Sequence, residues 1–176
     1  MTGKRAKLDD ATLADLFDKA ASFYLYSGAK SSDYALQETI VAAVASRIGK
    51  SAVLRTDEVA ENLADILTLD DDALPATRGH IIQALAKAAT APDATPDTLR
   101  VAVYSLRETA LSQPTLAEQA DKALKAIAVA HPQGWQKYYN LAAQDWDKAR
   151  REDQEQDLSL DLMRREITLK LAGPGA

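Results

Sequence analysis

Apolar residues in this 176-residue chain recur three and four positions apart in seven successive stretches, a spacing that selects α-helix over strand. The first stripe is Leu13, Leu16, Phe17, Ala20 and Tyr24. Asp9 or Asp10 is placed to cap it, because a short carboxylate accepts the free amide hydrogens of a first turn, and Gly28 to end it. Ser31 or Ser32 caps a second helix carrying Leu36, Ile40, Ala43, Val44 and Ile48, stopped at Gly49. Thr56 caps a third, with Asp57 and Glu58 where the helix dipole favours negative charge and Val59, Leu63, Ile66 and Leu67 as its stripe. Pro75 opens a fourth, with Ile81, Ile82, Leu85, Ala88 and Ala89, closed by Pro92. Thr95-Pro96 starts a fifth, with Leu99, Ala102, Val103, Leu106 and Ala110. Thr115 to Glu118 has capping-box spacing and opens a sixth, with Leu116, Ala120, Ala123, Leu124 and Ile127, ending near His131-Pro132. The seventh begins around Gly134 and shows Trp135, Tyr138, Tyr139, Ala142 and Trp146 on one face.

Composition agrees with that pattern. Glycine (7) and proline (6) are scarce, while 34 residues are alanine, the best helix former. Beyond Trp146 the pattern changes. Lys148 to Asp157 is almost all charge and glutamine, a solvated helix extension or a linker. Leu158, Leu160 and Leu162, then Ile167, Leu169 and Leu171, alternate with polar residues, as in a β-hairpin turning at Arg164-Arg165. Leu160, Met163, Ile167 and Leu171 also form a helical stripe, with Leu158 and Leu162 read as lying beside it, and the helical context favours helix. The expected fold is therefore all-α: a single domain of seven or eight antiparallel helices, either a bundle or a short solenoid. Residues 1–8 are expected to form a disordered tail, 9–147 the helical domain, and 148–176 a charged extension plus an apolar C-terminal segment.

Two helix starts look alike: Leu74-Pro75-Ala76-Thr77-Arg78 running into Ile81-Ile82, and Thr95-Pro96-Asp97-Thr98-Leu99-Arg100 running into Val101-Ala102-Val103. Over about residues 70–131 this proline, arginine and Ala/Leu pattern resembles HEAT-like repeats. The resemblance implies an α-solenoid that binds other proteins. The two arginines are 22 positions apart, one helix, whereas a repeat of that family is a helix pair of about 40 residues.

Chemistry-bearing motifs are missing. There is no cysteine, so no disulfide, thiolate nucleophile or Cys-based metal site. The only histidines, His80 and His131, lie in no HExxH or ExxH pattern, and Asp70-Asp71-Asp72 lacks the glycine and distal glutamate of an EF-hand. No P-loop, GxGxxG or GxSxG occurs, so neither a catalytic residue nor a cofactor site is assigned. The formal charge of −5 argues against nucleic acid, and the short basic clusters (Lys4-Arg5-Lys7, Lys148-Arg150-Arg151, Arg164-Arg165) are mostly interleaved with acids. No signal peptide and no run of about 18 uncharged apolar residues is seen, so a cytoplasmic protein without membrane contact is expected.

By elimination, the expected role is a non-enzymatic protein–protein interaction module: an adaptor, regulator or subunit. Its partner would be another protein or a second copy. The candidate partner-binding residues are Trp135, Tyr138, Tyr139 and Trp146, followed by Leu158, Leu160, Leu162, Met163, Ile167, Leu169 and Leu171. Large aromatic rings are favoured both in cores and as interface anchors. The alternatives are a small acidic neutraliser of the immunity or antitoxin type, facing a basic partner, and an enzyme with a pocket between helices.

Overall fold

The computed structural model describes residues 7–26 and 28–172, with side chains up to 165 and at 167. The protein is all-α. Its helices are α1 (Asp10–Ala21), α2 (Ser31–Arg47), α3 (Asp57–Leu69), α4 (Pro75–Thr90), α5 (Pro96–Ser112), α6 (Ala117–Ala130) and α7 (Pro132–Ala172), with 3₁₀ turns at Ser22–Leu25 and Ile48–Lys50. There is no strand among the described residues. The chain divides into two compact units, one up to Tyr139 and one from Asn140. The expected tail at residues 1–8 lies outside the described residues except for its last two. Of these, Leu8 accepts a hydrogen bond through its carbonyl from Arg47 Nη1 at 2.6 Å.

In the first unit the helices build two layers. α1 packs on α2 and α3, α3 on α4 and α5, and α5 on α6, while α2 and α6 both pack on α4. Within a layer odd helices thus neighbour odd ones and even helices even ones, and the consecutive pairs α1–α2, α3–α4, α4–α5 and α5–α6 pack across the layers. α4 touches α2, α3, α5 and α6, and Ile81, Ile82, Ala84, Leu85, Ala88 and Ala89 are all inside. Alanine at three of those positions lets neighbours approach on several sides. Phe17, Ile48, Leu54, Leu63, Leu106 and Ile127 complete a core built from α1 to α6 and the connecting turns.

Polar side chains tie the layers together at the helix ends. Thr56 and Thr95 cap α3 and α5, accepting from Val59 N at 3.2 Å and Thr98 N at 3.0 Å. Asp57, in the first turn of α3, accepts from the hydroxyls of Thr95 and Thr98, so the starts of α3 and α5 are joined. Arg55 does the same one step earlier: it grips both carboxylate oxygens of Asp93 at 3.0 and 2.9 Å and also donates to the carbonyls of Ile48 and Gly49.

Several boundaries differ from the sequence expectation. α1 stops at Ala21, before Gly28, because the chain tightens into a 3₁₀ turn that takes Tyr24 out of the α-helical stripe. α2 is entered through Lys30, with the Asp33 carboxylate accepting from Lys30 N at 2.7 Å, so neither Ser31 nor Ser32 is its cap. The Thr115 box does not form. Leu116, buried under the core, stands at the N-cap of α6, and no side chain caps that helix. Residues 158–171, by contrast, are helix as their context favours, continuing α7 without a break.

Candidate interaction surface

Pro132 opens α7, supplying the fixed φ of a first helical turn. Just before it, His131 lies with Nε2 3.2 Å from the carbonyl of Ala91. Gly134 sits where the helix meets α5: a Cβ there would come within 2.4 Å of Leu99 Cδ2, so the contact is made by leaving the side chain out. Trp135 and Tyr139, one turn apart, stack with ring centres 4.9 Å apart at 27°, and the Arg107 guanidinium lies 5.3 Å from the Tyr139 ring. Lys137 covers the Tyr138 ring at the same distance. Trp135, Tyr138 and Tyr139 are half-buried and pack on the hydrophobic core. The Trp135 indole N–H is buried and meets no acceptor among the described residues.

Trp146 and the apolar C-terminal residues belong to the second unit. From Lys148 to Arg165 every side chain is exposed, as is Ile167. Ion pairs along the helix surface offset part of the missing burial: Lys148–Glu152 at 3.8 Å, Arg150–Asp147 at 3.5 Å and Arg164–Asp161 at 3.4 Å. Within this solvated stretch stand Leu158, Leu160, Leu162, Met163 and Ile167, each between 41% and 63% exposed. Leu169 and Leu171 lie outside the described side chains.

The helix sorts these residues differently from the sequence expectation. Each residue turns about 100°, so Leu160, Met163 and Ile167 share an arc of about 60°. Leu158 and Leu162 fall about 150° from the middle of it, almost opposite rather than beside it. The period-two alternation that imitates a hairpin is, on a helix, two apolar stripes back to back. Asp157 and Arg164, seven residues apart, flank the Leu160 stripe on one side.

Three polar devices in the first unit carried no sequence signal, since each joins residues far apart in the chain. Asp70, expected in a solvated run, is turned inward and buried; its carboxylate accepts from Gln37 Nε2 at 3.1 Å and from Asp72 N at 3.3 Å. The buried Tyr34 hydroxyl beside it is shifted upward by burial and by the neighbouring acids, Asp70 foremost. Arg78 donates to the carbonyls of Leu67, Asp70 and Ala73 and to Gln113 Oε1, clamping the α3–α4 turn to the end of α5. Arg100, its counterpart in the repeated helix start, instead lies exposed 3.6 Å from Asp97. The third device is the Asp57–Thr95–Thr98 link.

A shallow groove of about 390 Å³ runs between α4 and α6, with Ile82, Ala86 and Ala123 on its floor and Lys87 and Lys122 at its edge. Lys87 Nζ is engaged, donating to the carbonyl of Ala45, the last turn of α2, at 2.6 Å. Among the described residues no three His, Cys, Asp or Glu side chains are grouped to hold a metal ion, and no helix is long and apolar enough to cross a membrane. Comparison with protein families, curated proteins and solved structures finds no match to this chain.

Proposed function

We propose that this protein is a non-enzymatic interaction module, an adaptor, regulator or subunit working in the cytoplasm, which meets its partner through the C-terminal half of α7. The observation that carries this is the exposure of Leu158, Leu160, Leu162, Met163 and Ile167 on one helix. Burying a large aliphatic side chain is worth about 1.5–3 kcal/mol. Five of them held in water on a polar helix represent binding energy the chain does not use on itself. The aromatic group at the start of α7 packs on the body, as an anchor for the helix would. The two-layer stacking of α1 to α6 supports the HEAT-like solenoid reading: the Thr56 and Thr95 caps fall about 40 residues apart, the length of a helix pair.

Removal of residues 156–176 tests the proposal. Light scattering and capture from the source cell extract should show a folded protein that has lost its assembly or its stoichiometric partner. A full-length chain that is monomeric, and that captures the same partners with or without the segment, would overturn it.

A further inference from the structure

We propose that the C-terminal half of α7 pairs with the same segment of a second copy, antiparallel, along the Leu160–Met163–Ile167 stripe. Self-pairing rests on the interaction role above and names its occupant. Three features select it.

The first is charge order. Glu152, Asp153, Glu155, Asp157 and Asp161 come first with no base among them, and Arg164, Arg165 and Lys170 follow with Glu166 as the one acid, so the segment is net acidic and then net basic along its length. A parallel copy would lay acid on acid, whereas a reversed copy lays acid on base. The second is register. Setting Leu160 against Met163 of the second copy, and Met163 against its Leu160, puts the two-fold axis between positions 161 and 162. Ile167 then covers Gln156, and Asp157 on the flank falls two residues, about 3 Å along the axis, from Arg164 of the second copy, twice by symmetry. Arg164 lies 3.4 Å from Asp161 within its own helix; both are exposed, so the guanidinium can serve both acids. The third is the seam itself. In a parallel pair with the same stripe, Asp153 would meet Asp153 at a core position, two carboxylates with no cation between them. Reversal removes that contact.

The stripe spans little more than one heptad, so the pair should be weak and concentration-dependent. All the side chains involved are exposed, and substituting them leaves the six-helix body intact, which circular dichroism and thermal melting would verify. Sedimentation equilibrium of the full chain should show an average mass rising with concentration from 19.0 kDa towards twice that value. The L160K/M163K variant should stay monomeric. D157R should weaken pairing about fivefold, since two exposed ion pairs become repulsions, and D157R/R164D should restore it. In a parallel pair neither reversal would have that pattern.

Orientation has its own readout, because the chain has no cysteine of its own. Spin labels on the K148C variant should lie about 40 Å apart in an antiparallel pair, from the helical rise of 1.5 Å per residue, and about 10 Å apart in a parallel one. A short label distance, or failure of the double variant to restore pairing, overturns antiparallel pairing. A monomer at every concentration overturns self-pairing altogether. If that monomer still loses a partner on removal of residues 156–176, the interaction role stands; if it does not, both fall.

Discussion

Asp57 shows how a single carboxylate does two jobs in this fold. Its position at the first turn of α3 suits the helix dipole, and its oxygen also accepts the hydroxyls of Thr95 and Thr98. Those hydrogen bonds, Thr95 first, hold its carboxyl below the ordinary aspartate range. Asp93 is held down in the same direction by the Arg55 hydrogen bonds. A carboxyl depressed by folding adds stability at pH values above its unfolded value near 3.8, and that contribution disappears as pH falls through the lower, folded value. Asp65 and Glu108 run the other way, raised chiefly by burial, so the acid limb of the whole protein mixes both signs. The difference between wild type and one variant isolates the term. D57N should cost about 1 kcal/mol at pH 7. That gap should close progressively below pH 4. Denaturant midpoints at pH 7, 5 and 3 check it, and a gap independent of pH would mean that the charge on Asp57 is not what binds α3 to α5.

At the scale of elements, caps decide where the sequence is legible. α3 and α5 begin where Thr56 and Thr95 announce them, because a side chain–backbone hydrogen bond within three residues is a local event. Thr115 has the same local look and fails. Burial of Leu116 fixes the chain entering α6, so the non-local contact overrides the box. The helical character of 158–171 was readable only against its context, since alternation with period two fits two opposite helix stripes as well as it fits a strand. What could not be read were the links between distant positions: Asp70 to Gln37, Arg78 to Gln113, Arg55 to Asp93. The candidate aromatics Trp135, Tyr138 and Tyr139 were found by periodicity, yet periodicity says only that they share a face, not that the face meets the core. The difference between true and apparent caps is measurable. T95A should destabilise by about 1–2 kcal/mol, losing both its cap and its bond to Asp57, whereas T115A should cost less than about 0.5 kcal/mol. Equal losses in chemical denaturation would mean that the Thr115 box forms in solution.

For the whole molecule, the contrast between the two units sets how stability is distributed. The contiguous hydrophobic core ends at Ile127, with Trp135, Tyr138 and Tyr139 packed against it, so α1 to α6 and the first turns of α7 should open together. From Lys148 to Arg165 every side chain is exposed, and the surface ion pairs there are each worth about 0.2–0.5 kcal/mol. A helix so supported is marginal in water. Amide hydrogen exchange should therefore separate the chain sharply. Amides in α4, buried on several sides, should exchange only through global unfolding, and those of 148–157 should exchange faster by several orders of magnitude. The amides of 158–167 are the informative ones. If two copies pair there, their protection should rise with protein concentration while that of 148–153 changes little, and L160K/M163K should abolish the rise. Uniformly slow exchange along α7 at high dilution would show that the segment is stabilised within one chain, and would remove the reason for seeking a partner on it.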